Sequence, residues 1–397
     1  MNFSRKVFTC LLLSLVLIAE PSAYAIDPSS AAGVFSRVAN SPNLRDPSVA
    51  LIDASTGEFV FESNSTSARK PASVMKVLSA TATIKYLDSS QRYETKVLSG
   101  VDANSAVIIG QLDPWLSLRY LEGKKMHRTS VPALATAIQG SVGKNRRKFT
   151  VYYSGLYATD VANINRYFKK KRRTVAFKKV NEETAISNSF EEKLVSTSPT
   201  VKEITTWFLT WSDNVLAERM ARFAAKAAGY QFDDFGVSDV FKTILTEMNI
   251  DSSALNIHDA SGLSKENRIT AHLMGELLFK IHKDPAFSTL IAGLPVSGQS
   301  GTLRKRYLDT APEAVGLVKA KTGTLNGTVS LAGYIESGDR EYIFVVIADK
   351  IARGTRASDR ARQTLDSLLG QIAAPLMPTP VASIDPVATV VSGPQTP

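Results

Sequence analysis

A serine hydroxyl becomes a strong nucleophile only with a base in hydrogen-bond reach, and Ser73 and Lys76 set such a pair three residues apart, on one face if the segment is helical. The same SxxK spacing recurs at Ser67 with Lys70 and at Ser141 with Lys144, so spacing alone does not choose among them. Surroundings do. Ser73 opens the run SVMKVLSATATIKYL, which ends at Leu87. This run has no breaker and is apolar on nearly all faces, the pattern of a helix buried inside a domain. At such a helix start a hydroxyl meets free backbone N–H groups, and a lysine in apolar surroundings holds its proton less tightly, as a general base must. Ser67 lies in a polar turn and Ser141 beside a basic loop.

Two further clusters carry chemistry. Ser212, Asp213 and Asn214 (SDN) occur once, at the centre of a helical stretch beginning at Thr200. There a hydroxyl can pass a proton to a leaving amine and an amide can hold a substrate peptide, although three polar residues can equally just interrupt a helix. Lys321, Thr322 and Gly323 (KTG) also occur once, leading into the strand-like run Thr328–Glu336. A strand edge offers main-chain groups to an extended peptide, a cation and hydroxyl suit its carboxylate, and glycine lets the substrate approach closely. A lone KTG is common in surface turns.

The elements that must position these residues are readable from the pattern. Pro47–Asn64 reads as a hairpin about Thr56-Gly57. Between Tyr93 and Ser198 lie short strand-like pieces (KVLSG, SAVIIG, KFTVYYSG, RTVAFKKV) and a helix around Pro132–Ile138, which together read as an insertion. Helical periodicity returns from Thr200, with further helices at Val237–Met248 and Thr270–His282. Gly316–Ala320, Thr328–Glu336 and Tyr342–Asp349 read as strands, the last two joined in a hairpin, and Arg356–Ile372 closes the fold as a helix. Residues 376–397, rich in Pro, Thr and Val, read as a disordered tail.

Arg5 and Lys6, the apolar run Val7–Ala19 and Ala23-Tyr24-Ala25 have the form of a signal peptide cleaved after Ala25. The run is too short for a membrane-spanning helix. The expected product is exported, periplasmic or extracellular and wall-associated. Its only cysteine, Cys10, leaves with the signal, which removes disulfides and thiol catalysis. The remaining chain carries 45 Lys and Arg against 36 Asp and Glu, about +9. KNRRK (Lys144–Lys148) and KKKRR (Lys169–Arg173) contribute strongly, and outside the cytoplasm they suit anionic wall polymers or lipid headgroups if they are more than a solvated face. No aromatic-rich nucleic-acid module accompanies them, so no nucleic-acid partner is expected. Four histidines in no ligand spacing argue against a metal, and the absence of GxSxG argues against a Ser-His-Asp hydrolase.

SxxK at a buried helix start, SDN in a helical block and KTG on a late strand, in that order, form the motif set of penicillin-binding proteins and class A β-lactamases. With PASVMK, LDPWL (Leu112–Leu116), SDNVLAERMAR, HDASGLSKENRIT (His258–Thr270), SGTLRKR (Ser300–Arg306) and AKTGTLNGTVSLAGY (Ala320–Tyr334), the chain resembles the D-alanyl-D-alanine carboxypeptidase/endopeptidase family, the class C low-molecular-mass penicillin-binding proteins. The similarity covers most of Asp46–Ala373.

The resemblance implies an α/β (α+β) penicillin-binding protein/serine β-lactamase-like fold: an antiparallel five-stranded sheet with helices plus an all-helical subdomain. Residues 26–95 and 198–375 would form this catalytic domain and 96–197 a smaller β-containing inserted domain. It implies Ser73 as the acylated nucleophile, Lys76 as its base, and Ser212 with Asn214 as proton relay and substrate-amide contact. Lys321 and Thr322 would bind the terminal carboxylate, next to Gly323, with the N–H groups of Ser73 and Thr324 as the oxyanion hole. Arg304 or Arg306 is a candidate further carboxylate contact, with a merely solvated arginine as the alternative, and HDASGLSKENRIT supports the fold. Implied partners are peptidoglycan stem peptides and β-lactams as covalent inhibitors, with no cofactor.

Two departures accompany the resemblance. The 139 residues from Ser73 to Ser212 exceed the class A β-lactamase gap but fall short of the better-known class C members. Val151–Tyr157 (VYYSGLY) has tyrosines where the family's insert strand carries an acidic recognition residue. The alternatives are a serine β-lactamase, against which the insert argues, a non-catalytic β-lactam-sensing or wall-binding protein, against which the complete motif set argues, and a transpeptidase, which differs only in the acyl acceptor.

Overall fold

The structure is a computed structural model that describes residues 25–373. The expected signal segment, apart from Ala25, and the expected tail lie outside the described residues.

One five-stranded sheet is built from both ends of the chain. Its strands are β1 (Ser48–Asp53), β2 (Phe59–Ser63), β8 (Val318–Leu325), β9 (Thr328–Ser337) and β10 (Arg340–Ala348), in the order β2-β1-β10-β9-β8 and antiparallel throughout. Strands β1, β9 and β10 are buried almost throughout because both faces are covered. Ala50, Ile52, Ile343, Val345 and Ile347 point to one core, while Val49, Leu51, Phe344 and Val346 point to the other, as the period of two requires. The second core is closed by α1 (Pro28–Ala39), which the sequence reading did not pick out, and α12 (Thr355–Ala373).

The first core packs the sheet against α2 (Lys76–Tyr86), α7 (Val201–Trp211), α8 (Asn214–Ala227), α9 (Asp234–Glu247), α10 (Ala271–Lys283) and the short α11 (Ser288–Gly293). The expected helix from Ser73 is thus two pieces, a 3₁₀ turn at Ala72–Met75 running into α2. The stretch from Thr200 is also two helices. Ser212, in the left-handed region at φ 60° and ψ 39°, ends α7, and Asp213 caps α8 by accepting from the Leu216 N–H at 3.0 Å, the preferred use of Asp at that position.

A second five-stranded sheet, β6-β5-β4-β3-β7, lies between Glu94 and Thr197. It comprises β3 (Glu94–Gly100), β4 (Ser105–Gly110), β5 (Lys148–Ser154), β6 (Thr174–Lys179) and β7 (Ser189–Thr197). Pairs β4/β5 and β5/β6 are parallel and the other two antiparallel. Parallel pairs need crossover helices, supplied by α4 (Val131–Val142) and α5 (Ala158–Lys170), which bury Leu134, Ile138, Ile164 and Phe168 on the sheet. Short helices α3 (Tyr120–Lys125) and α6 (Glu182–Ser187) complete it. The four strand-like pieces of the sequence are β3 to β6. β7 and α5 were not anticipated: β7 (SFEEKLVST) has an almost wholly solvated burial pattern, and α5 ends in a lysine run that hides its apolar stripe.

Candidate active site

The three motifs meet in one cleft of about 400 Å³, lined by Ser73, Ser212, Thr302, Arg306, Thr322, Gly323, Thr324, Val329 and Arg362. Ser73 is half-buried at its mouth, while Lys76 and Lys321 are wholly buried behind it.

Ser73 is held out by its neighbours. Ala72 sits at φ 49°, a left-handed conformation that costs a non-glycine residue about 1–3 kcal/mol and persists only where packing enforces it. On one side Gly262, at φ 81°, presses so close that a Cβ there would lie 1.8 Å from the Ala72 carbonyl oxygen. On the other side the Ser330 hydroxyl donates to the Pro71 carbonyl at 2.6 Å, and a Cβ on Gly323 would meet Ser330 Oγ at 2.2 Å and Pro71 O at 2.8 Å. KTG and the SGL loop therefore clamp the turn that bears the serine, which is a packing reason for glycine at both positions.

Lys76 Nζ lies 3.0 Å from Ser73 Oγ, 2.7 Å from Asn214 Oδ1 and 2.6 Å from the Ser261 carbonyl. The Ser261 carbonyl is delivered by the HDASGLSKENRIT loop. Asp259 ties that loop by accepting from the N–H groups of Gly262 (2.6 Å), Leu263 (3.1 Å) and Ser264 and from Asn267 Nδ2 (3.0 Å). Ser261 N–H donates to Glu218 at 2.8 Å. Burial pushes the Lys76 ammonium down to about 8, opposed by the nearby charges of Glu218, Asp259 and Asp213. Burial, helped by the charge of Lys76, holds Lys321 well below the ordinary lysine range.

Lys321 donates to Ser212 Oγ at 2.8 Å and to the Thr322 carbonyl at 3.0 Å, so SDN and KTG are joined directly. β8 is an edge strand. Its outer side is covered at Ala320, whose N–H donates to the Pro295 carbonyl at 2.9 Å, and from Thr322 to Thr324 it faces the cleft. Thr322 Oγ1 shares a hydrogen bond of 2.7 Å with Thr302 Oγ1.

Of the two arginines expected as carboxylate contacts, the cleft includes only Arg306, and its guanidinium is engaged by the buried Asp366 at 2.5 and 3.1 Å. Arg304 is not in the lining; its guanidinium lies 5.2 Å from the Trp211 ring centroid and donates to Gly301 O. The guanidinium that reaches KTGT is Arg362 of α12, donating to Thr324 Oγ1 at 3.1 Å. Sequence reasoning missed Arg362 and Thr302. Arg362 falls on an ordinary amphipathic helix with no motif about it, whereas Thr302 lies inside the SGTLRKR stretch, where the arginines are the more conspicuous side chains. Ser67 and Ser141, the other SxxK serines, are not among the cleft residues. Among the described residues no group of three or more His, Cys, Asp or Glu is placed to hold a metal.

A family model, D-Ala-D-Ala carboxypeptidase 3 (S13) family, matches residues 31–129 and 121–372. Carboxypeptidase DacB of Mycolicibacterium smegmatis is 38% identical over 162 residues, 40% of this chain and 34% of that protein. A carboxypeptidase of Mycobacterium tuberculosis is 26% identical over 399 residues, covering 88% of this chain and 85% of that one. The match thus spans about a third of the Mycolicibacterium protein's length but most of the Mycobacterium one. Among solved structures, penicillin binding protein 4 of Haemophilus influenzae superposes with TM-score 0.66 at 16% identity, over 87% of this chain and 98% of that one. A predatory endopeptidase of Bdellovibrio bacteriovorus gives 0.58 at 17%, over 82% and 92%. These two likenesses establish a shared fold.

Proposed function

The chain belongs to the D-Ala-D-Ala carboxypeptidase 3 (S13) family, and from that premise we propose that it is a serine-type D-Ala-D-Ala carboxypeptidase of peptidoglycan maturation, acting through an acyl-Ser73 intermediate and trapped covalently by β-lactams. In this reading Ser73 Oγ adds to the carbonyl carbon of the penultimate D-alanine while its proton passes to Lys76 Nζ. The N–H groups of Ser73 and Thr324 take the oxyanion, the largest electrostatic contribution expected of such a site. Collapse breaks the C–N bond, and the terminal amine leaves with a proton relayed through Ser212. Water then hydrolyses the ester with Lys76 as base. Asn214 holds the substrate amide, and Lys321, Thr322 and Gly323 receive the terminal carboxylate at the free edge of β8.

The observation that carries this reading is the set of partners around Lys76. Asn214 Oδ1 and Ser261 O can only accept, whereas the Ser73 hydroxyl can also donate. A neutral amine has two N–H bonds and one lone pair. Its two donors match the two pure acceptors and its lone pair the Ser73 proton, the state a general base needs before attack. A purely structural ammonium would not need a hydroxyl at the mouth of a cleft as its third partner.

The site is read as working outside the cytoplasm on wall stem peptides, with the N-terminal segment as a cleaved signal. No helix among the described residues is long and apolar enough to cross a membrane. The test is D-alanine release from a wall pentapeptide, together with labelling by fluorescent penicillin, for the chain and for Ser73→Ala. Stable labelling and release that both vanish in Ser73→Ala support the proposal, and amine release from cross-linked peptides would add the endopeptidase activity. Labelling without release moves the reading to a sensor, and rapid loss of label with β-lactam turnover moves it to a β-lactamase.

A further inference from the structure

Residues 123–181 contain fifteen Lys and Arg and a single acid, Asp160, whereas the rest of the chain contains 32 basic and 36 acidic residues. The positive charge of the protein is therefore a property of this one segment. The fold concentrates it further. Lys144–Lys148 follow α4 and lead into β5; Lys169–Arg173 end α5 and lead into β6. The parallel pairing sets Lys148 opposite Thr174, so two runs more than twenty residues apart in sequence become neighbours. Arg173 locks them together, donating to Gln139 Oε1 at 3.2 Å and to the Lys144 carbonyl at 3.4 Å.

This surface has three properties that a merely solvated face would not need together. Among the described residues none of the fifteen cations forms an ion pair with an acid of the protein, although pairs are plentiful elsewhere. Nine like charges meeting at one end of a small sheet repel one another, a cost that an anionic partner removes. The surface also carries no exposed large apolar side chain; the nearest in sequence, Leu121 and Ile186, lie outside residues 123–181. A membrane-seated patch would be expected to add such side chains to its cations. Finally, it lies away from the cleft. The other end of α5 is held to α8 by Arg219, which contacts Asp160 and Thr159, and a helix of thirteen residues spans about 20 Å.

We infer that the end of the insert formed by Lys144–Lys148 and Lys169–Arg173 is a docking surface for a flexible polyanion bearing repeated phosphate groups, which holds the enzyme on the envelope without taking part in the reaction at Ser73. Exposed lysines with no fixed cavity recognise charge density rather than one headgroup, so binding should be salt-sensitive, as counterion release requires. The inference stands on charge and placement and does not depend on the reaction assigned to the cleft.

The test uses the full chain and a variant carrying Lys144→Gln, Arg147→Gln, Lys148→Gln, Lys169→Gln, Lys170→Gln and Lys171→Gln, which leaves the hydrogen-bonded Arg146 and Arg173 in place. A second variant replaces the same lysines by arginine. Binding to long-chain polyphosphate is measured against salt, beside vesicles of phosphatidylglycerol and of phosphatidylcholine, with Ser73 labelling by penicillin as the check of fold. The expected result is salt-dependent polyphosphate binding that falls at least tenfold in the glutamine variant, survives in the arginine variant, and leaves labelling unchanged. Equal polyphosphate binding by the chain and the glutamine variant overturns the inference. So does absence of polyphosphate binding alongside patch-dependent binding to phosphatidylglycerol vesicles, which would make this a membrane-facing surface. Absence of labelling in the unaltered chain, alongside intact patch-dependent polyphosphate binding, would sink the reaction at Ser73 while leaving the docking surface standing.

Discussion

The two five-stranded sheets of this molecule solve opposite problems. The sheet ending in β8 is covered on both faces, and its edge carries KTG against the wholly buried Lys76 and Lys321. The sheet between Glu94 and Thr197 has one modest core, and its strands β6 and β7 are largely solvated. One region strips water from two cations so that they hold their protons weakly; the other leaves the cations of its two basic runs, Lys144–Lys148 and Lys169–Arg173, toward solvent and without an acid partner among the described residues. The same residue type is thus either stripped of water or left facing it, according to the packing around it.

The largest effect is expected at Lys76. Lys76→Met should slow acylation by about 10²–10⁴-fold, the usual worth of a general base, while Lys171→Met should leave it unchanged. Because the Lys76 proton is held at about 8, the acylation rate of the unaltered chain should climb through neutral pH and level off above about 8. The sign for stability follows from the same shift. Between about 8 and the ordinary lysine value of 10.5 the unfolded chain keeps this proton and the folded chain does not, so this group's contribution makes folding more favourable as pH rises through that window. An acylation rate independent of pH from 6 to 9 would break the assignment of Lys76 as base.

Next in size is Gly262→Ala. With φ at 81° and a Cβ directed 1.8 Å from the Ala72 carbonyl, the turn must shift, and a displacement of about 1 Å at a nucleophile costs about 10²-fold. Stopped-flow acylation checks this; a variant as fast as the parent would show that the clamp does not position Ser73. Smaller again is Arg362→Ala, expected to raise KM about tenfold for a carboxylate-ended peptide and to leave kcat nearly unchanged. That is the signature of lost uniform binding, and a fall in kcat alone would contradict it. The smallest effect on activity is expected from Phe168→Ala. This should destabilise the insert by about 3–5 kcal/mol, visible as faster amide exchange in β5 and α5, with acylation within twofold of the parent. Loss of acylation in step with the exchange would mean that the two sheets are one cooperative unit.

Legibility in sequence follows the same division. The body that carries the cleft was readable because the expected chemistry demands particular residues at particular elements: a serine and lysine one turn apart on an apolar helix, SDN in a helical block, and KTG on a strand. The hairpin at Thr56-Gly57, β9 with β10, and the closing helix were equally plain from their periodicity. What stayed hidden depends on tertiary contact. The helix break at Ser212 shows only as three polar residues, and the left-handed Ala72 shows not at all, because packing by Gly262 and Ser330 imposes it. Arg362 reaches Thr324 across 38 residues of sequence, which no local pattern encodes. In the insert, the two basic runs were visible separately, but their meeting needed the parallel pairing of β5 and β6.

Of the three SxxK serines, Ser73 alone is expected to be acylated, with Lys76 as its partner. Peptide mapping by mass spectrometry after reaction with penicillin tests it most directly, since trypsin releases KPASVMK, residues 70–76, with Ser73 as its only serine. A single penicilloyl adduct is expected on that peptide, formed faster as pH approaches 8. An adduct on a peptide containing Ser67, Ser141 or Ser212 instead, or no adduct at all, would contradict it.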